Sequence, residues 1–136
     1  MNVTGACHCG EIKFRARVDP TRVGICHCTD CQIFSGSAFR VSVLVDGVDF
    51  ELLDGRPATY EKTAESGARR ELMFCGTCGT HLYGRTPGAG RYFYSVRGGP
   101  LAERGQLRPV VQIWCQSEVD WLGAVSTLPR MDGQRF

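Results

Sequence analysis

Glu11-Ile12-Lys13-Phe14-Arg15-Ala16-Arg17-Val18 sets the class of the fold. Ile12, Phe14, Ala16 and Val18 alternate with Lys13, Arg15 and Arg17. A period of two puts the apolar side chains on one face of an extended segment, so the stretch predicts a half-buried strand. Ser37 to Val45 repeats the pattern through Phe39, Val41, Val43 and Val45, then ends at Asp46-Gly47. Asp-Gly between two strand-like runs predicts a hairpin, with Val48 to Leu53 as the partner and Asp54-Gly55 as the next turn. Ala58 to Lys62, Arg69 to Phe74, His81 to Arg85, Arg91 to Val96 and Val110 to Cys115 read as further strands. Only Thr29 to Phe34 reads as a helical turn, capped by Thr29 or Asp30. Short strands broken by glycine and proline predict a mainly β domain. It is expected to occupy residues 1–125, with a loose polar tail over 126–136.

The chain has 136 residues, of which 43% are hydrophobic and 22% charged, so one modest core is expected. No run approaches the roughly 20 apolar residues of a membrane helix. Met1-Asn2-Val3-Thr4-Gly5 has neither the basic nor the apolar region of a secretory signal, which predicts a cytoplasmic protein. The formal charge of +2 counts every cysteine as neutral. Seven thiolates on two zinc ions would remove three charges and leave about −1. That is no basic excess, so nucleic acid is not an expected partner.

Eight cysteines in a reducing compartment point to metal rather than disulfides. Seven fall into clusters: Cys7-His8-Cys9-Gly10, Cys26-His27-Cys28-Thr29-Asp30-Cys31 and Cys75-Gly76-Thr77-Cys78-Gly79. Paired cysteines one or two residues apart can each give two thiolates to a tetrahedral zinc. Gly10 and Gly79 follow the second cysteine of their pairs, where a positive φ closes the turn; the middle cluster has Gln32 there. The asymmetry suggests a closed site of Cys7, Cys9, Cys75 and Cys78, and a separate site of Cys26, Cys28 and Cys31. Joining Cys7 and Cys9 to Cys26 and Cys28 is the alternative. Three protein ligands with an open position is the pattern of catalytic zinc, although a second structural zinc would look similar. His8 and His27 sit between paired cysteines and would point away from the sulfurs. His81 opens a strand. Cys115 reads as a buried, inert thiol on a core strand.

Three segments together resemble the glutathione-dependent formaldehyde-activating enzyme family, also called the CENP-V/GFA domain. They are Gly5-Ala6-Cys7-His8-Cys9-Gly10-Glu11-Ile12, then Cys26 to Cys31 leading into Ser35-Gly36-Ser37-Ala38-Phe39, then Phe74-Cys75-Gly76-Thr77-Cys78-Gly79. The Gly55 to Tyr60 step also fits. The resemblance implies a single zinc-binding domain of small antiparallel sheets, of the Mss4-like kind. It implies a structural zinc on Cys7, Cys9, Cys75 and Cys78 and a second zinc on Cys26, Cys28 and Cys31. The implied activity is that of a carbon–sulfur lyase forming S-(hydroxymethyl)glutathione from glutathione and formaldehyde. Departures from the family pattern lie near the C-terminus. Gly98-Gly99-Pro100-Leu101-Ala102-Glu103 lacks an aspartate pair, Gln112 stands where a histidine is common, and Asp120-Trp121 stands where Pro-Trp is common.

The chemistry expected at an open zinc is capture of a thiol as thiolate, next to a small aldehyde. Ser35, Gly36 and Ser37 follow the third ligand; they either contact substrate or only turn the chain. Two other functions fit parts of the sequence. One is a zinc-stabilised binding module without turnover. The other is a methionine-R-sulfoxide reductase-like enzyme using Cys115.

Overall fold

The structure is a computed structural model, and it describes residues 1–64, 66–88 and 92–134. Among the described residues ten strands form two sheets. The smaller sheet has three antiparallel strands: β1 (Asn2–Ala6), β2 (Lys13–Arg17) and β5 (Phe50–Asp54), in the order β1-β2-β5. The larger sheet comprises β3 (Val23–Cys26), β4 (Arg40–Asp46), β6 (Ala58–Thr63), β7 (Arg69–Phe74), β8 (His81–Arg85), β9 (Phe93–Arg97) and β10 (Val111–Ile113). Its order is β10-β3-β4-β9-β8-β7-β6, antiparallel except where β10 runs parallel to β3.

The alternation that predicted β2 also sets its packing. Phe14 and Ala16 are buried while Lys13, Arg15 and Arg17 are exposed. Val43 and Val45 of β4, Tyr94 and Val96 of β9, and Met73 and Tyr83 of β7 and β8 join Phe14 in one core. Phe50 lies across the join, its ring centroid 5.3 Å from Phe14 and 4.6 Å from both Tyr83 and Tyr94. Full burial of a side chain such as Phe14 is worth roughly 1.5–3 kcal/mol.

The expected hairpin at Asp46-Gly47 does not form. β4 pairs with β3 and β9, whereas β5 pairs with β2. A short 3-10 turn, Gly47–Asp49, carries the chain from one sheet to the other. Gly47 serves close approach here: a Cβ on it would lie 2.8 Å from the Tyr92 ring, and its N–H donates to the Tyr92 carbonyl at 3.0 Å. Gly55 does meet the conformational demand, with φ +78°.

The helical turn is α1, Thr29–Ser35, capped by the Cys28 sulfur rather than by Thr29 or Asp30. The predicted last strand is shorter than expected. β10 ends at Ile113, all three of its residues are exposed, and Trp114 takes a left-handed conformation with φ +59°. Cys115 therefore begins a 3-10 turn and is exposed, not a buried core thiol. A further 3-10 turn covers Leu122–Thr127. Arg91 of the predicted strand Arg91 to Val96, and the end of the expected tail at 135–136, lie outside the described residues. No helix among those described is long and apolar enough to cross a membrane.

Candidate metal centre

All eight cysteines are free, and seven gather into two groups. Within each group the sulfurs lie inside 4.8 Å of one another.

The first group is Cys7, Cys9, Cys75 and Cys78. Two turns of the same design build it. In one, the Cys7 N–H donates to the Ile12 carbonyl, the Gly10 N–H to the Cys7 carbonyl, and the Ile12 N–H to the Cys7 sulfur at 3.2 Å. In the other, the Cys75 N–H donates to the Thr80 carbonyl, the Gly79 N–H to the Cys75 carbonyl, and the Cys78 N–H to the Cys75 sulfur at 3.5 Å. Gly10 and Gly79 take φ of +81° and +75°, as a turn of this kind requires. The turns are tied together. The His8 N–H donates to the Thr80 hydroxyl, and the Thr77 hydroxyl donates to Glu11 at 2.6 Å. One turn follows β1 and the other joins β7 to β8, so the group bridges the two sheets. The Thr80 hydroxyl, 3.1 Å from the Cys78 sulfur, is the first cause that brings that thiol down to about 5; backbone N–H groups of Cys9 and Thr80 follow.

A sulfur–metal bond of about 2.3 Å in a tetrahedron spaces neighbouring sulfurs by about 3.8 Å. Cys7 and Cys9 are 3.5 Å apart, and Cys9 and Cys75 are 3.8 Å apart. These separations are far longer than a disulfide of about 2.05 Å. The group could hold a metal ion.

The second group is Cys26, Cys28 and Cys31. Cys26 ends β3, Cys28 caps α1, and Cys31 lies in its first turn with its N–H 3.3 Å from the Cys28 sulfur. No histidine, cysteine or carboxylate among the described residues joins the three. Arg40 lies opposite Cys26 in the β3–β4 register and donates from Nη2 to the Cys31 sulfur at 2.8 Å. Burial pushes the Cys31 thiol up, against the pull of Arg40. Burial also acts on Cys28, but the Cys31 N–H, the neighbouring thiols and Arg40 outweigh it and hold that thiol below its usual value.

His27 is fully buried and is not one of the grouped ligands. Its Nε2 meets the Gln112 Oε1 at 2.8 Å, which fixes the proton on Nε2. Its ring packs edge-on against Phe39. Gln32 donates to the carbonyls of both His27 and Ser117, at 2.8 and 2.9 Å. The loop that carries the cysteines is thus fastened to β10 and the turn after it. Cys115 belongs to neither group.

Ser35, Gly36 and Ser37 end the helix. Gly36, with φ +63°, and Ser37 both donate backbone N–H groups to α1 carbonyls. The Ser35 hydroxyl donates to the Phe39 carbonyl at 3.1 Å. His81 lies against the rings of Phe34 and Phe74; burial, then Arg97 and Arg40, holds its pKa below the usual histidine value. A cleft of about 330 Å³ lies elsewhere, lined by Val23, Val43, Leu107 and Pro109 among others. None of the seven grouped cysteines lines it, so the sulfur chemistry and not this cleft marks the site.

Sequence reading did not find Arg40 and Arg97. Arg97 is buried and closes β9 opposite Ser42. Arg40 falls in the outward register of the predicted strand Ser37 to Val45, and Arg97 lies one residue past the predicted strand ending at Val96, so alternation marked neither.

The glutathione-dependent formaldehyde-activating enzyme model matches residues 2–117. The chain belongs to that family. An uncharacterized lyase of Schizosaccharomyces pombe is 29% identical over 97 residues, covering 68% of this chain and 64% of the yeast protein. The chain therefore matches a little under two thirds of that relative's length. A crystal structure of a Rhodobacter sphaeroides protein aligns with a TM-score of 0.62 at 17% identity, covering 80% of this chain and 98% of the other. At that identity the likeness concerns the fold. Membership and the lyase-named relative together support a lyase-type function at the level of the family.

Proposed function

We propose that the protein is a zinc-dependent carbon–sulfur lyase-like enzyme acting on the adduct of a small thiol, such as glutathione, with a small aldehyde. Formaldehyde is the aldehyde suggested by the family description. Two zinc ions per chain are proposed, a structural one on Cys7, Cys9, Cys75 and Cys78 and a reactive one on Cys26, Cys28 and Cys31. The observation that carries the reading is the contrast between the groups: four sulfurs close the first, while only three gather in the second. Zinc with three protein ligands supplies an open position that favours a thiol as its thiolate.

The chain's own residues prepare that position. Cys28 and Cys31 are held by the first turn of α1, and the Gln112–His27 and Gln32–Ser117 bonds fix the loop beneath them. Asp30, between the two ligands, pairs with Lys62 of β6 and anchors the helix over the large sheet. Ser37 stands at the helix end and is the proposed substrate contact among Ser35, Gly36 and Ser37, because no hydrogen bond engages its hydroxyl among the described residues. Free thiols throughout suit a cytoplasmic site of action.

The test uses purified zinc-loaded protein with glutathione and formaldehyde, following adduct formation against the uncatalysed rate. Acceleration that is lost in Cys28→Ser supports the proposal. Neither glutathione binding nor a rate change with any small aldehyde overturns it.

A further inference from the structure

Arg97 is 5% exposed, yet no carboxylate among the described residues pairs with it. Its Nη1 donates to the hydroxyls of Ser95 at 3.0 Å and Ser42 at 3.3 Å, and its buried Nε has no partner. Arg40 is in the same condition: Nη2 meets the Cys31 sulfur, and its buried Nη1 is unpartnered. Strand register puts the two together. Arg40 and Ser42 share a face of β4, and Arg97 lies opposite Ser42. Gly84 leaves room for the guanidinium, since a Cβ there would lie 3.0 Å from Arg97 Nη2.

A buried and a half-buried like charge without carboxylates are costly unless something else neutralises them. The sulfurs of Cys26 and Cys31 become the neighbouring anions once they ligate a metal: Arg40 lies opposite Cys26 and meets the Cys31 sulfur, and both sulfurs favour the charged form of Arg97. A dication held by three thiolates carries about −1, because ligation removes the thiol protons. The arginine pair more than offsets this and leaves the centre positive. The four-cysteine group is the opposite case. With a dication it carries about −2, its neighbour is the Glu11 carboxylate 3.8 Å from the Cys75 sulfur, and no basic side chain among those described contacts its sulfurs.

We propose that Arg40 and Arg97 are specificity-determining residues that make the Cys26–Cys28–Cys31 centre take an anion as its remaining ligand in preference to a neutral donor. This rests on the proposed function only in taking a metal to occupy that centre. The ligand class is a small soft anion, such as a thiolate.

The experiment loads the full chain with cobalt(II) and follows the visible absorption of the centre during titration with thiocyanate, an anion, and imidazole, a neutral donor. Thiocyanate should bind more tightly than imidazole. Arg97→Met and Arg40→Gln should each weaken thiocyanate at least tenfold and leave imidazole unchanged or tighter. Arg97→Lys, which keeps the charge, should retain the order. A merely structural role would weaken both probes alike, and that result overturns the proposal, as does an unchanged ratio. A second measurement needs no cobalt: in metal-free protein, where the guanidinium lacks its counter-charge, Arg97→Met should leave the urea midpoint equal or higher. A lower midpoint counts against the proposal. Thiocyanate preference without any glutathione binding would defeat the proposed function alone. Glutathione turnover with unchanged thiocyanate binding in the variants would defeat the arginine assignment alone.

Discussion

Losing one ligand should cost the two centres different amounts. The four-cysteine group links turns far apart in sequence, since Cys9 and Cys75 are 66 residues apart. A cross-link closing a loop of that length restrains the unfolded chain by about 4.3 kcal/mol. Cys26 and Cys31 are five residues apart, and closing so short a loop is worth only about 2 kcal/mol. A domain of this size shifts its melting temperature by about 3.5 °C per kcal/mol. Cys78→Ser should therefore lower Tm by about 15 °C and Cys28→Ser by about 7 °C. Differential scanning calorimetry on zinc-loaded variants, with metal content measured on the same samples, gives both numbers. A chelator titration of the parent protein adds the order of release: the three-cysteine centre gives up metal first, with the fold intact. Equal Tm losses, or one release step coinciding with unfolding, would refute the loop-length argument and the division into structural and reactive centres with it.

Gly5→Ala would place a Cβ 2.1 Å from the fully buried Phe14 ring, so urea denaturation should show a loss of about 3 kcal/mol, the upper range for overpacking. Gln112→Leu would strand the buried Nε2–H of His27; the expected cost is about 1–3 kcal/mol by the same assay, with weaker metal retention at the second centre. His81 is held below its ordinary pKa of 6.5 by burial and the two arginines, so the unfolded chain binds its proton more readily than the folded one. Its contribution is present above pH 6.5 and is lost as the pH falls below it. The difference in Tm between the parent and His81→Phe should shrink or reverse from pH 7.5 to pH 5.5, and a constant difference would remove His81 from the acid response.

Period-two alternation was legible where one face of a strand meets the core, as in β2, because polar residues then mark the other face. It was silent for β1 and β3. Asn2-Val3-Thr4-Gly5-Ala6 and Val23-Gly24-Ile25-Cys26 carry glycines where neighbouring side chains press on the backbone, Phe14 on Gly5 and Val111 on Gly24. The apolar run misled at Val110 to Cys115. Its apolar residues look like a core strand, but β10 is the edge of the large sheet and its residues are exposed. Asp46-Gly47 misled for another reason. A dipeptide reports a local turn, and which sheet receives the next strand depends on Phe50 packing against Phe14, Tyr83 and Tyr94, residues distant in sequence. Cysteine spacing was more informative because each pair is a complete local turn, stabilised by N–H groups within a few residues of the sulfurs.

The departures from the family pattern separate once their neighbours are known. The Gly98 to Glu103 turn is bound to β1: the Ala6 N–H donates to the Pro100 carbonyl, the Ala102 N–H to the Thr4 carbonyl, and Glu103 accepts from the Thr4 N–H. Its link is to the strand that leads into the four-cysteine group, so its sequence bears on how the sheets are joined. Gln112 is different. It touches His27, and His27 is the residue between Cys26 and Cys28. A histidine at 112 would face the His27 ring across the same short gap, and two imidazoles can share one hydrogen bond only if one accepts. A glutamine oxygen always accepts, so it takes the His27 Nε2–H, while the buried Nδ1 has no hydrogen-bond partner among the described residues. The ring beside the cysteines is thereby fixed in orientation, and the cationic side chains that face this centre are Arg40 on β4, opposite Cys26 and bonded to the Cys31 sulfur, and Arg97 on β9.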